Sequence, residues 1–175
     1  MTLFSETTNW RLPETVLPDS LQEMAIDGRR GTEGIVLWLG RDDGESAEIT
    51  HLVKLRGPLV TKRPNQIHIE SALFNDVADV AIENNVRLVG QIHSHGRGYS
   101  LDLSPTDRIY GLRTPHYLSV VAPDYGLSPC SVTDCGVHVF KPGCGYVRLT
   151  LAEVSKKIAI VRGPHLPFIE VGGRG

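Results

Sequence analysis

From Glu33 to Gly40 the chain reads EGIVLWLG, with no polar side chain between Ile35 and Leu39. A strand with one wet face alternates apolar and polar residues. A short unbroken run rich in branched and aromatic side chains therefore predicts a strand covered on both faces. The neighbouring sequence supplies the covering helices. PDSLQEMAIDGRRG predicts a helix capped by Ser20, with Leu21, Met24 and Ala25 on one face and Gly28 to Gly31 ending it. SALFNDVADVAIENN places Leu73, Val77, Val80 and Ala81 at helical spacing. AEITHLVKL, NQIHIE, VRLVGQIHSH, HYLSVVAP, GVHVFK and YVRLT predict further strands, RGPLVTKRPN a turn-rich connection, and SPTDRIYGLR the opening of a helix. Strands and helices interleave without a strict βαβ rhythm, which predicts an α/β fold of the α+β type, a mixed sheet flanked by helices. The glycine-rich tail LPFIEVGGRG predicts a loose terminus.

At 175 residues, 41% hydrophobic and 22% charged, the chain has the material for one core, and no repeat or linker divides it. The expectation is a single domain over 1–175 whose core spans residues 15–160 between flexible ends. No apolar run approaches the roughly 18 residues of a membrane span. MTLFSETTNWRLPETVLPDS lacks the basic start and apolar stretch of a secretory signal, so a cytoplasmic location is expected. Cys130, Cys135 and Cys144 are odd in number and predict no disulfide framework. A net charge of -2 gives no electrostatic ground for nucleic acid or an anionic membrane as partner. The one basic cluster, Lys54, Arg56, Lys62 and Arg63, reads as a solvated loop.

The chemistry concentrates in RLVGQIHSHGRGYSLDLSPTD, Arg87 to Asp107. Side chains two apart on a strand share a face, so His93 and His95 project together while Ile92 and Ser94 face the other way. Zinc accepts nitrogen and oxygen donors in tetrahedral geometry, and a catalytic site keeps one corner open. Asp107 supplies a third ligand if the loop Gly96 to Leu103 turns the chain back. Ser104 has N-cap character, Pro105 suits the first helical position, and Asp107 falls in the first turn, fixed on a rigid element. Either half alone is commonplace. An isolated H-x-H is more often incidental, and SPTD by itself is an ordinary helix start; the two in this order are far more specific.

HSH at His93 to His95 followed by SPTD at Ser104 to Asp107 resembles the motif of the JAMM (JAB/MPN-type) metalloproteases, in which a glutamate precedes H-[ST]-H and a short spacer leads to S-x-x-D. The resemblance extends to VGQI, to SALFNDVADVAIENN and to TEGIVLWLG, and spans roughly residues 15–160. It implies a curved mixed sheet of the cytidine-deaminase-like architecture. It also implies zinc on His93, His95 and Asp107, Glu33 as general base with Glu70 the rival, and Ser104 as donor to the oxyanion. The implied reaction is hydrolysis by zinc-activated water, without a covalent intermediate, of an amide or isopeptide bond at the C-terminal glycine of ubiquitin or a ubiquitin-like modifier. The implied partners are that modifier or its conjugate. Compact single-domain forms, to which this chain is similar, occur in prokaryotes beside E1-like and E2-like enzymes, some in antiviral operons. Two departures lie in the loop: the spacer is one residue longer than usual, and Gly96 stands where proline often follows the second histidine. One extra loop residue costs little closure entropy.

Other readings compete. HIE at His68 to Glu70 with PCSVTDC from Pro129 to Cys135 has the flavour of a zinc nucleobase deaminase, but the cysteines are too far apart for P-C-x-x-C and the middle residue is bulky. A non-catalytic MPN scaffold usually lacks ligands that this chain retains. A DNA-repair-associated branch also carries H-x-H, without support from the charge balance. Cys130, Cys135, His138 and Cys144 offer the donors of a second zinc site at a spacing no standard finger uses; packing as small apolar residues is the alternative for the cysteines. His51, His68, His116 and His165 show no ligand spacing.

Overall fold

The computed structural model describes residues 3–173. Along the chain run β1 (Trp10–Pro13), α1 (Val16–Gly28), β2 (Ile35–Asp42), β3 (Ala47–Leu55), β4 (Val60–Arg63), β5 (Gln66–Ile69), α2 (Ser71–Glu83) and β6 (Arg87–Ser94). There follow α3 (Pro105–Tyr110), β7 (Leu118–Ala122), β8 (Gly136–Lys141), β9 (Gly145–Arg148), α4 (Leu151–Lys157), β10 (Ile158–Val161) and β11 (Phe168–Val171), with 3-10 turns at Asp124–Gly126 and Val132–Asp134. A curled mixed sheet runs in the order β10-β1-β3-β2-β6-β7-β8-β9, with β11 against β3, and β4 and β5 form a separate hairpin.

The apolar run sits in β2, near the middle of this sheet, and is buried on both faces as its composition requires. Val36 and Trp38 join α1 residues Leu17, Leu21 and Met24 in one core cluster; Ile35, Leu37 and Leu39 join α2 residues Leu73, Val77 and Ala81 in the other. Trp38 is fully buried, and its indole N–H donates to Ser20 Oγ at 3.1 Å. Gly34 precedes the strand because a Cβ there would come within 2.8 Å of the Met24 backbone on α1.

A bulge in β6 decides which side of the sheet the histidines face. Trp38 pairs with Gly90 and Leu39 with Leu88, so Val89 is left over as the extra residue. Val89 and Ile92 lie in the α1 cluster and Leu88 in the α2 cluster. Beyond the bulge His93 pairs with Ile35, which puts it on the α2 side. Strict alternation from Val89 would have sent His93 toward α1; one inserted residue reverses the phase.

Several expectations need correction. The helix begins at Val16, ahead of Ser20, because Pro18 in a first turn interrupts no hydrogen bond; Ser20 is a buried acceptor inside the helix, not its cap. RGPLVTKRPN contains β4, whose pairing with β5 is a hairpin the turn residues concealed. LAEVSKK, to which the sequence reading assigns no element, is a helix opened by a Thr150–Glu153 capping box. The basic cluster is not a solvated loop: Lys54 pairs with Glu170 at 3.3 Å, Lys62 with Asp27 at 2.6 Å, and Arg56 with Glu23. The tail is not loose up to Gly173, since β11 pairs in parallel with Leu52–Leu55 and buries Val171. Residues 15–160 are accordingly too narrow a core, because Trp10, Leu12 and Val171 also belong to it. The end of the tail, Arg174 and Gly175, lies outside the described residues. No helix among the described residues is long and apolar enough to cross a membrane.

Candidate metal centre

The site forms at the carboxyl end of β6, where β6, β7 and α3 meet. His93 is held by the β2 and β7 ladders, opposite Ile35 and Val121. His95 lies just past the strand, and its backbone N–H donates to Ala122 O at 2.9 Å. Ser94 faces the other way and is wholly buried. Its Oγ accepts the Gly34 N–H at 2.9 Å, and its own N–H donates to Gly34 O at 3.0 Å. The residue between the histidines thus clamps the segment carrying Glu33.

Asp107 reaches the histidines through a helix cap. Ser104 Oγ accepts the Asp107 N–H at 3.1 Å, and Asp107 Oδ2 accepts the Ser104 N–H at 2.8 Å, a reciprocal capping box at the start of α3. That oxygen lies 3.6 Å from His93 Nε2 and 3.4 Å from His95 Nε2, and the two Nε2 atoms are 3.2 Å apart. A tetrahedral ion with bonds of about 2.0–2.1 Å has ligand–ligand edges of about 3.3–3.4 Å. The three donor atoms therefore have the dimensions of one face of such a tetrahedron. Among the described residues they are the one such group gathered closely enough to hold a metal ion.

The surroundings favour a cation. His95 Nδ1 lies 2.6 Å from Ser100 O. A carbonyl only accepts, so Nδ1 carries the hydrogen and, in the neutral ring, Nε2 keeps its lone pair for the centre. Burial opposes a charge on Asp107, but the two imidazoles beside it and the bonds to Ser104 hold its carboxyl well below the usual range. Burial likewise opposes a charge on His95, yet Asp107, the Ser100 carbonyl and Glu33 raise its pKa above 6.5. A proton and a metal ion compete for the same lone pair, so a site that attracts one attracts the other.

Glu33 is buried just before β2, its N–H donating to Arg63 O at 2.9 Å. Burial pushes its carboxyl up to about 7, moderated by His95 and reinforced by Asp107. The rival Glu70 is exposed and pairs with His68 at 3.2 Å. Beside His93 and Asp107 opens a cleft of about 120 Å³ whose walls include Ile35, Ile67, Phe74, Tyr110 and Tyr146.

The Gly96–Leu103 loop is fastened at several points. Arg97 pairs with Asp124 at 3.0 Å, Asp102 with Arg148 at 2.7 Å, and Ser100 with His95 as above. A Cβ at Gly96 would lie 2.8 Å from the Tyr125 hydroxyl, whose backbone N–H donates to His95 O at 2.7 Å. The lack of a side chain at Gly96 thus admits Tyr125 against the site.

The other candidate donors do not converge. Cys130 and Cys135 are neighbours, Cys144 is exposed in the β8–β9 turn, and His138 is buried toward Asp102. His68 and Glu70 form no metal-sized group with the cysteines. Sequence reasoning placed Ser94 on the opposite face but missed its bonds to Gly34, and it missed the Ser100 carbonyl and the Val89 bulge. Only Ser94 left a signal, as the small hydroxyl residue between the histidines.

No family model matches the chain, and no curated protein matches it. Solved structures share its fold. A solution structure of a protein from Desulfitobacterium hafniense superposes with a TM-score of 0.62 at 15% identity, covering 88% of this chain and 94% of that one. A solution structure of a protein from Salinibacter ruber (strain DSM 13855) gives 0.55 at 18% identity, covering 87% and 91%. At these identities the likeness concerns the fold alone.

Proposed function

We propose that the protein is a zinc-dependent hydrolase of amide or isopeptide bonds, acting at the C-terminus of a ubiquitin-like modifier. The observation that carries this reading is the triangle of two imidazole nitrogens and one carboxylate oxygen beside a buried carboxyl near neutrality. Nitrogen and oxygen donors at tetrahedral spacing suit zinc, which when bound supplies an acidified water and polarises a carbonyl.

The chain's own residues then divide the work. Glu33, with its pKa at about 7, is poised to take the proton that the attacking water releases and to pass it to the departing amine. Ser104 Oγ already accepts the Asp107 N–H, which leaves its O–H to donate to the carbonyl oxygen as charge builds there. His93, His95 and Asp107 would hold the ion, while Ser100 and Ser104 orient two of them. The modifier as substrate rests on the resemblance of HSH and SPTD to the JAMM pattern.

The test is incubation of zinc-loaded protein with a modifier joined through its terminal glycine to an amine, with and without chelator. Cleavage after the glycine is expected, abolished by chelation and restored by zinc. Cleavage that survives both chelation and Glu33→Gln would overturn the reading.

A further inference from the structure

Cys130 and Cys135 bracket the short turn Val132–Asp134, and their Sγ atoms lie 3.7 Å apart. The turn is braced by its own capping box, in which Ser131 N–H donates to Asp134 Oδ2 at 2.8 Å, so both cysteines leave it in fixed directions. A disulfide requires about 2.05 Å between sulfurs, so a combined approach of under about 2 Å closes the bond. Their settings are unequal. Cys135 is buried in the α1-side core, whereas Cys130 is only half-buried, at the rim of a shallow apolar groove lined by Leu21, Ala25 and Leu127.

We propose that Cys130 and Cys135 form a reversible redox pair whose oxidant is a small disulfide of the glutathione class. Cys130 is the attacking thiol because it is the accessible one. The contact with the Cys135 sulfur also holds its pKa below the ordinary thiol value, while that same contact and burial push Cys135 up. The Cys130 thiolate attacks one sulfur of the small disulfide, forms a mixed disulfide and expels one thiolate. Cys135 gives up its proton to that thiolate and attacks the Cys130 sulfur, expelling the second. Two cysteine thiols and one small disulfide become one protein disulfide and two small thiols. Closure staples residues 130–135, in the connection after β7 whose earlier part donates the Tyr125 N–H to His95 O. The pairing is independent of the zinc reading and stands or falls separately.

The experiment uses folded full-length protein carrying Cys144→Ser, treated with oxidised glutathione, alkylated and digested with trypsin. Arg113 precedes and no lysine or arginine falls between Thr114 and Phe140, so one peptide carries both cysteines. That peptide is expected to lose about 2 Da and both alkylation sites, and dithiothreitol is expected to restore them. Adding Cys135→Ser is expected to trap glutathione on Cys130, and adding Cys130→Ser to leave Cys135 unmodified. Two free thiols, or a lasting adduct on Cys130 in protein that retains Cys135, would overturn the proposal. So would first attachment at Cys135.

Discussion

His95 and His138 are both buried, and each approaches an aspartate from the chain between Gly96 and Asp107. At His95 the geometry converges: Asp107 Oδ2 and His93 Nε2 lie 3.4 and 3.2 Å from its Nε2, and Ser100 O fixes the far nitrogen. At His138 it does not. Its Nε2 is 3.8 Å from Asp102, whose carboxylate is taken by Arg148 at 2.7 Å, and neither ring nitrogen has a hydrogen-bond partner. The charge preferences diverge accordingly. His95 is raised against the effect of burial, whereas burial pushes His138 down to about 4. Burial alone does not gather donors around an imidazole: a second imidazole and a carboxylate oxygen stand within 3.4 Å of His95 Nε2, and His138 has no such pair.

The sharpest way to break this contrast is metal affinity. His95→Ala is expected to weaken zinc binding by at least about 100-fold in a competition with a chromophoric chelator, since losing even an outer-sphere partner costs about 10–100-fold. His138→Ala is expected to leave it within a few-fold. Equal losses would erase the distinction. Next in size, Ser104→Ala is expected to lower turnover by about 10²–10³ through the lost donor and stability by about 1 kcal/mol through the lost cap. Both are read from kinetics and thermal unfolding of the loaded protein.

The pH dependence of metal-free stability separates the two sites further. His138 takes up its proton at 6.5 when unfolded and at about 4 when folded. Its contribution is therefore present above 6.5 and lost as pH falls toward 4. Glu33 does the reverse: its folded pKa of about 7 exceeds the ordinary 4.5, so its contribution is present below 4.5 and lost as pH rises toward 7. Each effect is at most about 3 kcal/mol, and they oppose each other across most of one window. Denaturant unfolding of the wild type is expected to be nearly flat from pH 4.5 to 6.5. His138→Leu is expected to lose stability with rising pH, and Glu33→Gln to gain it. The smallest effect belongs to the exposed pair: Arg148→Ala is expected to cost under about 1 kcal/mol.

Much of the fold was legible because two periodicities were strong. The apolar IVLWL and the helical spacing of Leu73, Val77 and Ala81 report burial directly, and each landed in the expected element. The convergence of His93, His95 and Asp107 was legible because a strand alternation and a helix cap are local geometries. What escaped was non-local. Whether FIEV is a tail or a strand depends on β3 offering a free edge, and whether Lys62 is solvated depends on Asp27, far away in sequence. Ser94 and Ser100 act on the site through backbone partners, which residue types alone do not announce.

The extra residue in β6 carries a consequence for protein engineering. Deleting Val89 would leave the strand one position short of satisfying both ends of its pairing with β2. Either Leu88 would rotate out of its apolar contacts or the imidazoles would swing under α1, away from Asp107. A centre defined by three side chains thus also hangs on a count of amides, and a frame-preserving deletion of one unremarkable valine is expected to silence it as thoroughly as loss of a ligand.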